Sequence, residues 1–274
     1  MIIDFHTHIK TEESWNVCFW IADREHLLAY MDQVGIDMAV VLPVEGYRVE
    51  EDGSYISTDG VLEAVNGIDR LIPFFSVNPL DDDAVDRARK YIDAGCAGFG
   101  EHKSAIPVDH ENSKRLYNIG VPVLLHIDRK YNYDLMRLRK VLEEFTGTNF
   151  ITHGPGWWSH IARNVPKNVT YPTGRVEEEG LVVEMLEEYE NLYADISARS
   201  GYNALTRDPE FGRNFVKKFS DKLIFGTDFP AFDTFFTPYG PNRKHINLLR
   251  EWCDEGTFRK IVEENAMRIL GEEI

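Results

Sequence analysis

Short apolar segments alternate with amphipathic segments along most of the chain. Eight of the apolar segments are rich in strand-forming residues, and the stretches between them are long enough for helices. The eight segments are Ile2–Phe5, Met38–Leu42, Leu71–Val77, Ala97–Phe99, Val121–Leu125, Asn149–Ile151, Asn191–Ile196 and Lys222–Phe225. Near-continuous apolar strands that alternate with helices are typical of a parallel sheet covered by helices.

Three of the intervening stretches have the periodicity of an amphipathic helix. In Arg24–Val34, apolar residues recur every three or four positions, so they fall on one helical face. Asp83–Ala94 and Tyr133–Phe145 share this pattern, and a glycine follows each of the three stretches within two residues. Glycine at that place commonly ends a helix, so we predict three helices with these bounds.

Eight strands in 274 residues favour an α/β fold of the (β/α)8 TIM-barrel type, which usually takes about 250 residues. An open doubly wound sheet is the alternative, and it would carry a glycine-rich phosphate loop between a strand and a helix. "GCAGFG" at residues 95–100 is a poor match, because its glycines precede or lie within an apolar segment. No low-complexity linker divides the chain, so we expect one barrel domain over residues 1–274.

Two long stretches, Glu45–Gly60 and Trp157–Glu179, follow the second and sixth predicted strands and are expected to lie over the barrel mouth. The second contains Trp157, Trp158 and Tyr171. These aromatic residues could stack on a flat substrate or pack beneath the loop, and packing is the interpretation we favour. Residues 229–240, after the eighth strand, are also rich in aromatic side chains, which suits an interface and a homodimer.

The charge balance argues against several partners. Asp and Glu number 46 against 30 Lys and Arg, a formal net charge of -16, which repels nucleic-acid phosphates and anionic lipid. No apolar run approaches the roughly 20 residues of a membrane helix, and the N-terminus lacks a signal-peptide pattern. Cys18, Cys96 and Cys253 are too few and too scattered for a disulfide framework. We therefore expect a cytoplasmic protein that acts on a small-molecule substrate.

Titratable residues stand at the C-terminal ends of several predicted strands. The first strand ends in His6 and His8, the fifth in His126, the sixth in His153 and the eighth in Asp228. In a TIM barrel, catalytic groups lie at these ends. Because side chains alternate along a strand, His6 and His8 face the same side, and both can reach one point on the barrel axis.

Each of these residues alone has a structural explanation, such as a hydrogen-bonded histidine or a turn aspartate at position 228. Their convergence does not, because burying four histidines and a carboxylate together is costly without a cation. Imidazole and carboxylate suit Zn, Mn, Fe or Ni better than Ca or Mg. The sequence therefore predicts a site for a divalent metal, with zinc the first choice.

The order His-x-His, carboxylate, His, His, Asp on successive strands resembles the amidohydrolase superfamily. The stretches "DFHTH", "FITHGPG" and "LIFGTDFP" resemble its amidohydrolase-2 branch, and "FRKIVEENAMRIL" is similar to the terminal helix of that branch. The resemblance implies a distorted barrel with one or two divalent metals at its mouth. It also implies that His6, His8 and Asp228 bind the more buried metal. His126 and His153 would then bind a second one, or one of them would bind the substrate.

The fourth strand allows two interpretations. The resemblance places a bridging carboxylate here, which would be Glu101, but many amidohydrolase-2 members instead align Gly100 with a lysine and His102 with a histidine. Alternation lets Glu101 and Lys103, or Gly100 and His102, face inward, but not both pairs. We choose Glu101 as the ligand. His102 would then be a hydrogen-bond donor behind the site.

The function predicted from these residues is hydrolysis of an ester, lactone or amide by metal-activated water. Asp228 would act as general base, and His153 or a metal would polarise the carbonyl. The alternative is nonoxidative decarboxylation of an aromatic or unsaturated acid, which the branch also contains and which needs a cation for the carboxylate. The candidate cations are Lys103, Arg163, Arg175 and Arg199. A non-catalytic barrel is a third option, but the ligand set shows no damage.

Three further polar residues lie near strand ends. Asp4 has the parity of His6 but lies deeper, so we expect it to form hydrogen bonds and not to bind metal. Asp195 and Ser197 end the seventh strand in "ADIS". Either could touch substrate, but a structural role is the default interpretation for both.

Overall fold

The computed structural model describes residues 1–12, 14, 22–46, 55–230 and 243–271. Eight parallel strands form its centre. They are β1 (Ile3–Thr7), β2 (Met38–Val41), β3 (Leu71–Pro73), β4 (Phe99–His102), β5 (Val123–His126), β6 (Phe150–His153), β7 (Leu192–Asp195) and β8 (Leu223–Ile224).

The eight strands close into a ring. Strands β1 to β3 are hydrogen-bonded in order, as are β4 to β8. Just beyond β3, Phe75 pairs in parallel with Phe99 of β4, and Thr7 of β1 pairs in parallel with Phe229 beyond β8. These two junctions leave the described sheet without an open edge, so the predicted TIM barrel is confirmed and the doubly wound sheet is wrong.

Helices surround the ring. They are α1 (Arg24–Val34), α2 (Thr58–Val65), α3 (Ala84–Asp93), α4 (Glu111–Tyr117), α5 (Leu135–Glu144), α6 (Pro155–Trp158), α7 (Leu181–Glu188), α8 (Ala198–Thr206), α9 (Pro209–Lys218), α10 (Lys244–Trp252), α11 (Glu255–Arg259) and α12 (Asn265–Leu270). A 3-10 turn follows α6, and a π turn joins α11 to α12. No helix in the described part of the chain is long and apolar enough to cross a membrane.

The predicted helix Arg24–Val34 matches α1 at both ends, and local chemistry explains why. Asp23 at the N-terminus accepts a hydrogen bond from the backbone N–H of His26, which satisfies one of the free donors of the first turn. Gly35 at the C-terminus has φ of 82°, a conformation that glycine adopts at little cost. The other two predicted helices enclose α3 and α5 and are one or two residues too long at each end.

Two apolar cores lie on opposite faces of the sheet. The larger one joins the outer face of the strands to the helices, and the smaller one fills the barrel interior. Ala266 and Ile269 of α12 belong to the interior core. The neighbouring Asn265 fixes α12 there, because its Nδ2 donates to the carbonyls of Ser220 and Leu223 at the base of β8.

Some of the predicted loop features lie outside the described residues: positions 47–54, the aromatic residues Phe232, Phe235, Phe236 and Tyr239, and Cys18. Trp157 and Trp158 in the loop after β6 are almost wholly buried. The indole Nε1–H of Trp158 donates to the backbone carbonyl of Asp195 at 3.0 Å. These two aromatic residues therefore pack beneath the loop.

Candidate metal centre

The side chains at the C-terminal ends of six strands converge on one region of the barrel mouth. They are His6 and His8 of the β1 end, Glu101 of β4, His126 of β5, His153 of β6, Asp195 of β7 and Asp228 after β8. All are buried except Asp228, whose side chain is 20% exposed. The structure thus brings together every residue that the sequence analysis selected as a ligand.

His6, His8 and Asp228 form the first group of potential ligands. The two Nε2 atoms lie 3.1 Å apart, and Asp228 Oδ1 is 3.5 Å from each. The other ring nitrogens are engaged, because His6 Nδ1 donates to Asp195 Oδ2 at 2.6 Å and His8 Nδ1 to the Leu42 carbonyl at 2.8 Å. Two nitrogens bound to one zinc ion at about 2.1 Å each lie roughly 3 to 3.4 Å apart, so this group fits a divalent metal.

Glu101, His126 and His153 form a second group whose donor atoms lie within 4.8 Å of one another. His126 Nδ1 and Glu101 Oε1 are 2.6 Å apart and share a hydrogen bond. The other carboxylate oxygen, Glu101 Oε2, is buried, has no hydrogen-bond partner among the described residues and lies 3.8 Å from His8 Nε2. A buried carboxylate oxygen without a donor is costly, and a cation beside His8 would satisfy it.

The pKa values of His6 and His8 shift in opposite directions. Burial lowers the pKa of His6, but the charges of Asp195, Asp228 and Glu101 outweigh it and raise the pKa to about 9. Burial dominates at His8 and lowers its pKa. A neutral His8 has a lone pair on Nε2, because its Nδ1 proton is held by a carbonyl.

The carboxylates remain ionised despite their burial. Burial alone would raise the pKa of Glu101, but Lys103 and His126 hold it well below the usual range. The hydrogen bond to His8 and the charges of the surrounding histidines lower the pKa of Asp228 in the same way. The site therefore presents fixed negative charge towards the convergent imidazoles, which is the electrostatic setting a divalent cation requires.

A one-residue slip in β1 turns its histidines inward. Asp4 pairs with Ala39 and Thr7 pairs with Val41. Between these two pairs β1 advances by three residues and β2 by two, which indicates a β-bulge in β1. Ala39 belongs to the helix-facing core, which places Asp4 on that outer side. The prediction that Asp4 shares the parity of His6 is therefore wrong, because the bulge lies between them.

The same kind of slip in β4 decides which of its residues faces the site. Phe99 pairs with Val123 and His102 pairs with Leu125. Between these two pairs β4 advances by three residues and β5 by two. Glu101 therefore reaches His126, whereas His102 stacks on Phe99 with ring centroids 4.8 Å apart. Burial lowers the pKa of His102 to about 3, so His102 is a neutral part of the helix-facing side.

Asp195 and Ser197 make contacts that the sequence analysis did not assign. Asp195 Oδ2 accepts from His6 Nδ1 and also lies 3.3 Å from His153 Nδ1, while Ser197 Oγ lies 2.9 Å from His153 Nδ1. The signal was present in "ADIS", where two polar residues end an apolar strand. A single chain could not distinguish this arrangement from an ordinary helix cap.

The four candidate cations differ in their exposure and in the groups they contact. Arg163 is half exposed and pairs with Glu178 and Glu184, and Arg175 is 75% exposed. Arg199 is exposed and lies over the ring of Tyr171. Lys103 is partly buried, and its charge acts on Glu101. Lys103 is therefore the cation of the four that is electrostatically coupled to the site.

A cavity of about 580 Å³ lies beside the site, between the loop after β5 and the stretch after β6. Asp128 is the residue that connects the two, because it lines the cavity and its Oδ2 lies 3.4 Å from His126 Nε2. Met136 and Val169, both exposed, also line the cavity. The volume is within the range of small-molecule pockets.

A family model described as "Amidohydrolase" matches residues 3–271 of the chain. A search of curated proteins finds no match. Among solved structures, the chain is similar to a protein from Bordetella bronchiseptica described as an uncharacterized TIM-barrel protein. The TM-score is 0.69, the identity is 16%, and 98% of each chain is covered.

Two further structures extend the comparison. A "probable 2-pyrone-4,6-dicarboxylic acid hydrolase" from Acinetobacter baumannii, with citric acid bound, has a TM-score of 0.64 and 15% identity, covering 98% of this chain and 99% of that chain. An amidohydrolase from Burkholderia multivorans with bound zinc has a TM-score of 0.65 and 10% identity, with the same coverage. At such low identities, the likeness demonstrates the fold.

Proposed function

The chain belongs to the Amidohydrolase family, and from that premise we propose that this enzyme is a metal-dependent hydrolase of a small-molecule ester, lactone or amide. The observation that carries the proposal is the convergence of His6 Nε2, His8 Nε2 and Asp228 Oδ1 within 3.5 Å of one another. Three potential ligand atoms from opposite ends of the chain meet there, and a bound ion would replace the proton shared by His6 Nε2 and His8 Nε2.

Two sets of residues would hold the metal. His6, His8 and Asp228 would hold the first ion, and Glu101, His126 and His153 would complete a second position beside it. A divalent ion bound there, zinc first among the candidates, would lower the pKa of a bound water to about 7 and supply the nucleophile. The second position is harder to fill, because an ion there must break the 2.6 Å hydrogen bond of His126 to the Glu101 carboxylate, whereas the first position requires the loss of the longer 3.1 Å bond between His6 and His8.

Asp228 is the residue suited to move the proton. Its side chain is the most exposed of the convergent carboxylates, and its pKa lies below the usual range, so it is an ionised acceptor that substrate can reach. We propose that Asp228 takes a proton from the attacking water and passes it to the leaving oxygen or nitrogen. His153, whose Nδ1 lies 2.9 Å from Ser197 Oγ, would hold its Nε2 towards the second metal position.

A lactone or simple ester is the first substrate class to test. A 2-pyrone is a cyclic ester, and the Acinetobacter baumannii protein of the same fold is named for hydrolysis of one. The inward position of Glu101 also favours hydrolysis, because Glu101 would supply a carboxylate ligand for a second ion. Of the candidate cations for decarboxylation, Arg163 pairs with surface carboxylates and Arg175 is mostly exposed, while Lys103 lies beside the site.

Metal analysis combined with a substrate panel tests the proposal. The protein is stripped with a chelator, reloaded with zinc or manganese, and assayed on lactones, esters, amides and aromatic carboxylates. We expect turnover of a lactone or ester that depends on metal and falls by a factor of roughly 10²–10⁴ in Asp228→Asn. Asp208→Asn is the matched control, because Asp208 caps α9 away from the site. CO2 release without ester cleavage would contradict the proposal.

A further inference from the structure

The hydroxyl of Ser197 joins two of the buried side chains around the proposed metal centre. Ser197 Oγ lies 2.8 Å from Asp195 Oδ2 and 2.9 Å from His153 Nδ1. Asp195 Oδ2 also accepts from His6 Nδ1 at 2.6 Å. Ser197 and Asp195 are 0% exposed, so a substrate cannot reach them. A role as nucleophile or proton donor to substrate is therefore excluded for this serine.

The direction of each hydrogen bond follows from the chemistry of the groups. A carboxylate can only accept, and a serine hydroxyl has a single proton. Ser197 therefore donates that proton to Asp195 and must accept its second bond from Nδ1–H of His153. In a neutral imidazole one nitrogen carries the proton and the other carries the lone pair, so the neutral form of His153 has its lone pair on Nε2.

The local backbone shows that this hydroxyl has been diverted from its usual role. Ser197 is the N-cap of α8, where a serine oxygen commonly accepts a hydrogen bond from the first turn, yet its side chain makes no such bond. The next residue, Ala198, has φ of 58°, in the left-handed region that is unfavourable for alanine. His245 Nε2 donates to the Ala198 carbonyl at 2.8 Å and holds this turn.

We propose that Ser197 is a positioning residue that fixes the Nδ1–H tautomer of His153 and so keeps Nε2 free for the metal or the substrate. Asp195 contributes to the same arrangement, because its Oδ2 accepts from the Ser197 hydroxyl and from His6 and lies 3.3 Å from His153 Nδ1. The expected effect on metal binding rests on the proposed function. The tautomer of His153 depends only on its contacts with Ser197 and Asp195.

Nitrogen-15 NMR of the chelator-treated protein tests the tautomer directly. Long-range proton–nitrogen spectra distinguish Nδ1–H from Nε2–H, and the signals of His153 are identified by their loss in His153→Gln. We expect Nδ1–H in the wild type and a mixed or Nε2–H population in Ser197→Ala. Ser200→Ala is the matched control, because Ser200 lies in α8, is 4% exposed, and its Oγ has no hydrogen-bond partner among the described residues.

Zinc affinity, measured by competition with a chelating dye, tests the consequence. We expect Ser197→Ala to weaken zinc binding by about 10- to 100-fold, as the loss of other hydrogen-bond partners of metal-binding histidines does, and Ser200→Ala to leave it unchanged. An Nε2–H tautomer in the wild type would overturn the inference, and so would wild-type zinc affinity in a folded Ser197→Ala protein. If that variant does not fold, the wild-type tautomer decides. If the wild type has the Nδ1–H tautomer but binds no metal, the proposed function fails while the assignment of Ser197 is supported.

Discussion

Asp4 accepts both hydrogen bonds that Thr227 can donate. Asp4 Oδ1 lies 2.9 Å from the Thr227 backbone nitrogen, and Asp4 Oδ2 lies 2.5 Å from its hydroxyl. Asp4 Oδ1 also accepts from the backbone N–H of His6 at 3.2 Å. Thr227 immediately precedes Asp228. One buried carboxylate therefore ties the first strand to the end of the eighth, next to two of the proposed ligands.

Replacing Asp4 by alanine is expected to destabilise the fold and to disorder the centre. The change leaves the backbone N–H groups of His6 and Thr227 without their acceptor in a buried place, which costs about 1–3 kcal/mol for each unsatisfied group. The free energy of unfolding, measured with denaturant, and the zinc affinity should both decrease. Asp37→Ala is the control, because Asp37 binds the backbone N–H of Ile2 at an exposed position, where water can replace it. Equal losses in the two variants would contradict this interpretation.

The two neighbours on β4 should behave in opposite ways when they are changed. Glu101→Gln removes a charge that faces His126 and His8, so we expect it to lower the amount of bound metal and the activity. His102→Phe replaces a neutral, stacked ring that faces Phe99 and Tyr117, so we expect metal content to remain unchanged. Elemental analysis of both purified variants is the measurement. The opposite result would show that His102 is the ligand from this strand.

Metal titration of the stripped protein should show one tight site and one weaker site. An ion at the first position replaces the 3.1 Å hydrogen bond between His6 and His8, whereas a second ion must break the shorter bond of 2.6 Å between His126 and the Glu101 carboxylate. His6→Ala should therefore abolish the tight site, and His126→Ala should abolish only the weaker one. Calorimetry with zinc measures both. Two equal sites in the wild type, or loss of the tight site in His126→Ala, would refute this order.

The fold and the convergent histidines could be predicted from the sequence because both depend on local patterns. Apolar runs mark strands, and histidines at the ends of strands must meet if the strands form a barrel. The inward choice at Glu101 could not be derived, because a β-bulge changes the parity without a signature in the side chains. The same irregularity in β1 placed Asp4 on the outer face, against the expectation from strict alternation.

Contacts between distant strands were beyond the sequence for another reason. The polar character of Ser197 was visible, but its partner His153 is 44 residues away. The residue after Ser197, Ala198, has a left-handed backbone, a conformation that an alanine does not signal in the sequence. Single-chain patterns report which face of an element a residue occupies, and they do not report which side chain it meets there.

Gly226 provides a last test, because Asp195 and His6 pack closely against it. A Cβ atom at position 226 would lie 2.6 Å from Asp195 Oδ1 and 2.9 Å from Cβ of His6. Both distances are shorter than van der Waals contact, so Gly226→Ala must displace the carboxylate or the imidazole. We expect weaker zinc binding by tenfold or more and a loss of stability of about 1–3 kcal/mol from overpacking.

The matched substitution is Gly147→Ala, since a Cβ at Gly147 would meet nothing within 4 Å. It should leave zinc affinity unchanged and keep or slightly raise stability, because alanine has fewer unfolded conformations than glycine. Thermal unfolding and zinc titration of the two variants make the comparison. If Gly226→Ala bound zinc as tightly as Gly147→Ala, the close approach of Asp195 and His6 would not be required for the centre, and Asp195 would lose its proposed part in orienting the metal-binding histidines.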